Sequence, residues 1–143
     1  MAIMESQIPF LRFIYFYTFL FMPRQLNREF INNYYGEMAN ELEEIFELFL
    51  QEIPTDINEI KNLLVLNKTK EAANLLHKII PSFSSIGLPQ LSVKLQLLET
   101  YIKNNEVCIA VIGIEIFESE LSEFIPAILK EYIRLKEKIN FYN

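Results

Sequence analysis

His77 is the one histidine in this chain of 143 residues. Imidazole is the side chain best suited to nucleophilic or proton chemistry near neutral pH, because its unperturbed pKa is about 6.5 and its neutral form keeps a free ring nitrogen. On a helix, positions three, four and seven residues away share a face, which makes Ala73, Asn74, Ile80, Pro81 and Ser84 the neighbours of His77. Most of these are small or short, so another protein has room to approach the ring. The apolar side of the segment lies at Leu75, Leu76, Ile79, Phe83 and Ile86, leaving the histidine near the edge of the polar face. By spacing alone, the same pattern also fits a surface or partly buried histidine with no role.

The other chemistry-bearing candidate is Cys108, the single cysteine. It excludes an intramolecular disulfide framework and a multi-cysteine zinc site, which fits a reducing, cytoplasmic compartment. Its plain reading is a small core residue. With no second histidine and no acidic cluster to join His77, no metal site is expected.

Charge and composition remove further classes. The net charge of -6 and pI near 4.9 argue against nucleic acid, since neutralising phosphates needs a dense Lys/Arg face and the basic residues here are scattered. No GxxxxGK[ST], GxGxxG or GxSxG string occurs, and three glycines cannot build a loop that cradles nucleotide phosphates. ATP chemistry by this chain alone is not expected.

The elements that must position His77 are helical. Half the residues are apolar, glycine is scarce, and Leu, Ile, Glu, Lys and Asn dominate, which favours an all-α fold. Residues 27–35 predict a short helix, punctuated by Gly36. Over 37–51, Met38, Leu42, Ile45, Phe46, Phe49 and Leu50 fall on one stripe, as an amphipathic helix requires. Pro54 is expected to break that run, with Thr55 capping a next helix through Ile57, Ile60, Leu63 and Leu64. Thr69 opens the helix that carries His77 and should run through Pro81, where the missing amide predicts a kink just after the histidine. Gly87 is placed to end it and Pro89 to start the next, which runs to about Lys103 with Leu91, Leu95, Leu98 and Ile102 buried. Residues 107–117 have the β-branched composition of a strand, yet a lone strand would leave its backbone groups unpaired, so a helix is expected there. A final helical stripe follows, with Pro126 as its expected division from the preceding helix.

Residues 8–22 stand apart, almost wholly apolar with seven aromatics and Arg12 as the single charge. Fifteen residues are short for crossing a hydrocarbon core of about 30 Å. A secretory signal is discarded, because Glu5 precedes the run and Phe21, Met22 and Pro23 end it. An extra helix packed on the bundle is the favoured reading, with membrane contact as the minority one. The expected organisation is residues 1–25 as this apolar segment and 26–143 as the bundle.

The string AANLLHKIIPSFSSIGLPQL, residues 72–91, resembles the signature of histidine-containing phosphotransfer (HPt) domains. In those, a histidine is followed by a Lys-Gly pair at three and four residues, small residues, and a hydrophobic-Gly pair at nine and ten. His77, Ser84, Ile86 and Gly87 match, with Gly87 in a structural role. Ile80 and Pro81 depart from the Lys-Gly pair, although the chain is similar to a family variant with the pattern His-Lys-x-x-Pro-x-Phe. The resemblance runs from about Leu26 to at least Asn105.

It implies an up-and-down four-helix bundle with His77 exposed midway along the second bundle helix, here with an additional N-terminal helix. It implies phosphorelay signal transduction without enzymatic catalysis: His77 takes a phosphoryl group from a receiver-domain aspartate and passes it to another receiver. The implied partners are a response-regulator receiver domain and a hybrid histidine kinase. The chain itself binds no cofactor, the Mg²⁺ being expected on the receiver. With Ile80 in the lysine position, Lys78 and Lys70 become the candidates for phosphate support, and Glu99 on the following helix for orienting the imidazole. Ala73, Asn74, Ile80, Pro81 and Ser84 form the implied docking face. The rival expectation is a helical adaptor that docks a receiver or kinase without carrying phosphate, with membrane association as a further option.

Overall fold

The computed structural model describes residues 24–35 and 38–142. The apolar run 8–22 lies outside them. Within the described residues the order is α1 (Arg28–Tyr35), α2 (Ala39–Val65), α3 (Thr69–Ser85), α4 (Pro89–Lys103) and α5 (Val107–Tyr142), with no strand. Helices α2 to α5 form an up-and-down bundle: each packs on the next, and α5 closes the ring against α2.

Three short connections set that topology, and all three use one device. Asn67, Gly87 and Asn105 adopt positive φ of 58°, 83° and 59°. At each, the positive-φ residue donates its amide three residues back, to Leu64, Ser84 and Ile102, while the next residue donates five back, to Leu63, Phe83 and Tyr101. These are Schellman closures, in which a left-handed residue satisfies the last carbonyls and reverses the chain. Asparagine and glycine are the residues that enter this region at least cost.

The core is a stack of side chains from every long helix. Phe83 of α3 sits edge-on between Phe49 of α2, at 5.0 Å, and Phe117 of α5, at 5.3 Å. Leu91, Leu95 and Ile102 from α4 are fully buried beside them. Helix α1 lies across one end. Its buried Ile31 faces Gly87, where an added Cβ would come within 2.7 Å of Ile31 Cδ1. Asn27 accepts the Phe30 amide through its side chain and donates its own amide to the Gly87 carbonyl. Arg28 pairs with the buried Glu131, which Arg134 also holds.

Two expected helix boundaries are corrected. Pro54 does not break the chain; α2 runs unbroken through it to Val65. Pro126 likewise lies inside α5 and divides nothing. Proline costs a helix interior about 3 kcal/mol through the lost bond and the ring's clash with the preceding turn. Both prolines are exposed, so the ring and the lost amide bond fall on the solvent side of the helix and not in the core. Burial of Phe49, Ile53 and Ile57 around the first, and of Phe124 and Ile128 around the second, outweighs the remaining penalty at about 1.5–3 kcal/mol per large side chain. Residues 107–117 are helical, as expected from the cost of an unpaired strand. Cys108, read as a core residue, is instead exposed at the start of α5.

Candidate functional site

Helix α3 carries Leu76, Ile79, Ile80 and Phe83 into the core, and His77, one residue on from Leu76, is therefore turned out. Its side chain is 75% exposed. Helix α4 packs beside α3 and brings Glu99 alongside it, although the two residues are 22 apart in the chain. One Glu99 oxygen lies 3.0 Å from His77 Nδ1 and the other 3.3 Å. Glu99 is itself only 10% exposed, and Lys103, one turn further along α4, reaches its Oε1 at 2.8 Å.

The electrostatics follow from this geometry. Burial pushes the Glu99 carboxyl up, but the hydrogen bonds from Lys103 and His77, with their charges, outweigh it and hold the group below the usual glutamate range. A carboxylate accepts only, so Nδ1 carries the proton and donates it. The ring is then fixed in the tautomer whose Nε2 lone pair is free, the same orienting logic by which a buried acid sets a catalytic histidine. The arrangement is a solvent-facing nucleophilic nitrogen on a ring held from behind by a charge.

The residues predicted around His77 separate into two groups. Asn74 and Pro81 are exposed and Ser84 is half-buried, all on the open side of α3. Ala73 and Ile80 are not on that face: they are 4% and 8% exposed and belong to the core. Helical spacing placed Ile80 on the face of His77, and packing of α4 over it turned it into the core. Ser92 of α4 donates its hydroxyl to the Ile80 carbonyl at 2.9 Å, which makes Ser84 the donor to Ser92, also at 2.9 Å. This polar ladder pins the two helices together beneath the histidine.

Lys70 is exposed and lines a cleft of about 330 Å³ with Thr69, Asn74 and Lys103. The structure thus joins Lys70 and Lys103 on one cleft between α3 and α4, with Lys103 also bound to Glu99, while Lys78 is exposed and does not line the cleft. Lys103 was not singled out from the sequence. The four-residue spacing of Glu99 and Lys103, which favours an ion pair on a helix, was the available signal. Gly87 lies below the site as the closure of α3. Among the described residues, no group of three or more His, Cys, Asp or Glu side chains is placed to hold a metal ion.

No curated protein and no solved structure compared with the chain matches it. The family model of the Hpt domain matches residues 44–132, from within α2 into α5, a span that takes in His77, Glu99 and the three closures that order the bundle. Members of that family are phosphotransfer carriers of phosphorelays and work with response-regulator receiver domains. A match over that span of this all-helical bundle places the chain in the Hpt domain family.

Proposed function

We propose that this protein is a stoichiometric phosphorelay intermediate whose phosphoacceptor is His77. Nε2 attacks the phosphorus of an aspartyl phosphate on a receiver domain. The N–P bond forms, the P–O bond to the aspartate breaks, and the electron pair leaves with the aspartate carboxylate. The Nδ1 proton stays in place. As Nε2 gives up its lone pair the ring becomes cationic, and the Glu99 carboxylate stabilises that charge where it develops. Reversal of the same step hands the phosphoryl group to a second receiver.

The observation that carries this reading is the contact between the exposed His77 ring and the buried, ionised Glu99. An incidental surface histidine needs no carboxylate held behind it. Lys103, held by the same Glu99 oxygen as the ring, and Lys70, two turns back along α3 on the cleft that Lys103 lines, are the proposed sources of positive charge in place of the lysine that the buried Ile80 replaces. The receiver brings the Mg²⁺ that neutralises the transferring group. A hybrid histidine kinase, through its own receiver, is the proposed source of phosphate.

A docking partner has open ground next to the histidine. Pro81, Ser82 and Ser85 of α3 face Ile45, Leu48 and Glu52 of α2 across a groove of about 240 Å³. The rival reading, an adaptor that docks a receiver without carrying phosphate, draws on the same groove and on the apolar residue at Ile80.

Incubation with a phosphorylated receiver separates the two. Acid-labile, base-stable label on the wild-type chain and none on His77→Gln is the expected result. Equal label on both chains overturns the assignment of His77, and label on neither favours the adaptor.

A further inference from the structure

Three polar side chains are buried among the described residues, Ser92, Glu99 and Glu131, and the first two lie on α4 against α3. Seven residues separate Ser92 from Glu99, and seven also separate His77 from Ser84 on α3. That interval is nearly two full turns, a rise of about 10.5 Å along either helix. The antiparallel pair is therefore joined by two polar rungs of equal spacing. Ser84 meets Ser92 at 2.9 Å, and His77 meets Glu99 at 3.0 Å. Equal spacing couples the rungs, because a slip of α4 along α3 displaces both by the same amount.

The serine rung is the one anchored to backbone. Ser92 donates to the Ile80 carbonyl at 2.9 Å and accepts from Ser84. A hydrogen bond tolerates a narrow range of distance and angle, whereas the apolar contacts of Leu91, Leu95 and Ile102 on the same helix are non-directional. A slip would break the bond and leave a buried hydroxyl unpaired, which is costly. The histidine rung has no such anchor, since its ring is 75% exposed and turns about its own side-chain torsions. Helix α3 also lacks one tie of its own between the rungs. Pro81 has no amide to offer the His77 carbonyl, and the bond from Ser92 enters that same turn at Ile80.

We propose that Ser92 is a positioning residue for His77. By fixing the register of α4 on α3 it sets the Glu99 carboxylate at Nδ1, and with it the tautomer in which Nε2 is unprotonated. Ser92 touches no reacting atom and acts through Glu99. Its bearing on the rate of transfer rests on the role proposed above for His77; its effect on the ring does not.

A single histidine makes the ring directly readable. In full-length protein labelled with ¹⁵N, the shifts of the two imidazole nitrogens report which one carries the proton, measured near pH 8.5 where an ordinary imidazole is neutral. The wild-type ring is expected mainly as the Nδ1–H tautomer. Ser92→Ala should lose most of that excess while keeping the helical circular dichroism, and Ser92→Thr, which retains the hydroxyl, should restore it. Ile60→Val, a core truncation on α2, should leave the tautomer unchanged. Transfer from a phosphorylated receiver should slow in Ser92→Ala, by less than the about 10- to 100-fold expected when the orienting group itself is removed. If Ser92→Ala loses its helical signal, Ser84→Ala carries the test at a half-buried position, with part of the excess lost. A wild-type ring protonated mainly on Nε2 overturns the proposal. So does a folded Ser92→Ala with the wild-type tautomer, a Ser92→Thr no better than alanine, or an equal change in Ile60→Val. Absence of label on the wild-type chain would instead overturn the phosphoacceptor reading and leave the spectral result standing.

Discussion

The Oε1 atom of Glu99 lies 3.0 Å from Nδ1 of His77, with the carboxylate nearly buried and the imidazole open to solvent. In the proposed role that asymmetry separates positioning from reaction: the charge beside the ring is kept from water, and the imidazole proposed to react is not. One oxygen also bridges to Lys103, so the histidine, the glutamate and the lysine act as one unit.

Replacing the proposed phosphoacceptor should separate function from stability. His77→Gln is expected to accept no phosphoryl label while unfolding within about 0.5 kcal/mol of the wild type, as is usual for an exposed side chain. Denaturant melts run beside the labelling assay check both halves.

Changes at Glu99 should grade with what they remove. Glu99→Ala loses both orientation and charge and is expected to slow phosphotransfer by about 10- to 100-fold, the scale seen when a histidine loses its orienting partner. Glu99→Gln keeps an oxygen to accept the Nδ1 proton and should lose less. Lys103→Met should slow transfer more than Lys78→Met, because Lys103 pairs with the same Glu99 oxygen that contacts the His77 ring. Rapid-quench transfer from a labelled receiver measures all four; equal rates for the two glutamate variants would show that orientation carries no part of the effect.

Acid should weaken the fold in a defined window. Burial pushes the Glu131 carboxyl up, but Arg134 and Arg28 overcome this and hold it below its ordinary value of 4.5, as Lys103 and His77 do for Glu99. A carboxyl lowered by folding contributes stability that is complete above its unfolded pKa and disappears as pH falls through the folded one. Stability from these two groups should therefore be level above about pH 5 and decline below about 4.5. Urea unfolding from pH 7 to pH 3 tests it, and Glu131→Gln should flatten the decline.

Gly87 answers to two constraints at once. Alanine there would occupy φ of 83° and meet Ile31, so Gly87→Ala should cost at least the 1–2 kcal/mol of a left-handed non-glycine residue. Asn67→Gly, in the same closure but without the steric conflict, should be neutral or stabilising by a few tenths of a kcal/mol. Thermal unfolding of both variants gives the comparison. Truncating Phe83, which joins three helices, should cost about 3–5 kcal/mol.

The fold was largely legible because its punctuation is local. Asn67, Gly87 and Asn105 end helices by their own backbone preferences, and the apolar stripes between them have helical period, so the starts of α3, α4 and α5 follow from nearby residues alone. The prolines were misread for the opposite reason. Whether Pro54 or Pro126 stops a helix depends on how much apolar surface its neighbours bury, and that is set by distant helices.

The sequence by itself determined that the chain is helical, where it turns, and that its single histidine sits on the boundary of a helix face. It also contained Glu99 at a plausible distance along the chain. Only the tertiary structure decided which way that boundary falls. Packing of α4 against α3 drew Ile80 and Ala73 into the core, left His77 outside, and set Glu99 and Lys103 against the ring. Helical periodicity is written within one segment, whereas the register between two helices depends on side chains of both, and it is this register that makes a site of His77, Glu99 and Lys103.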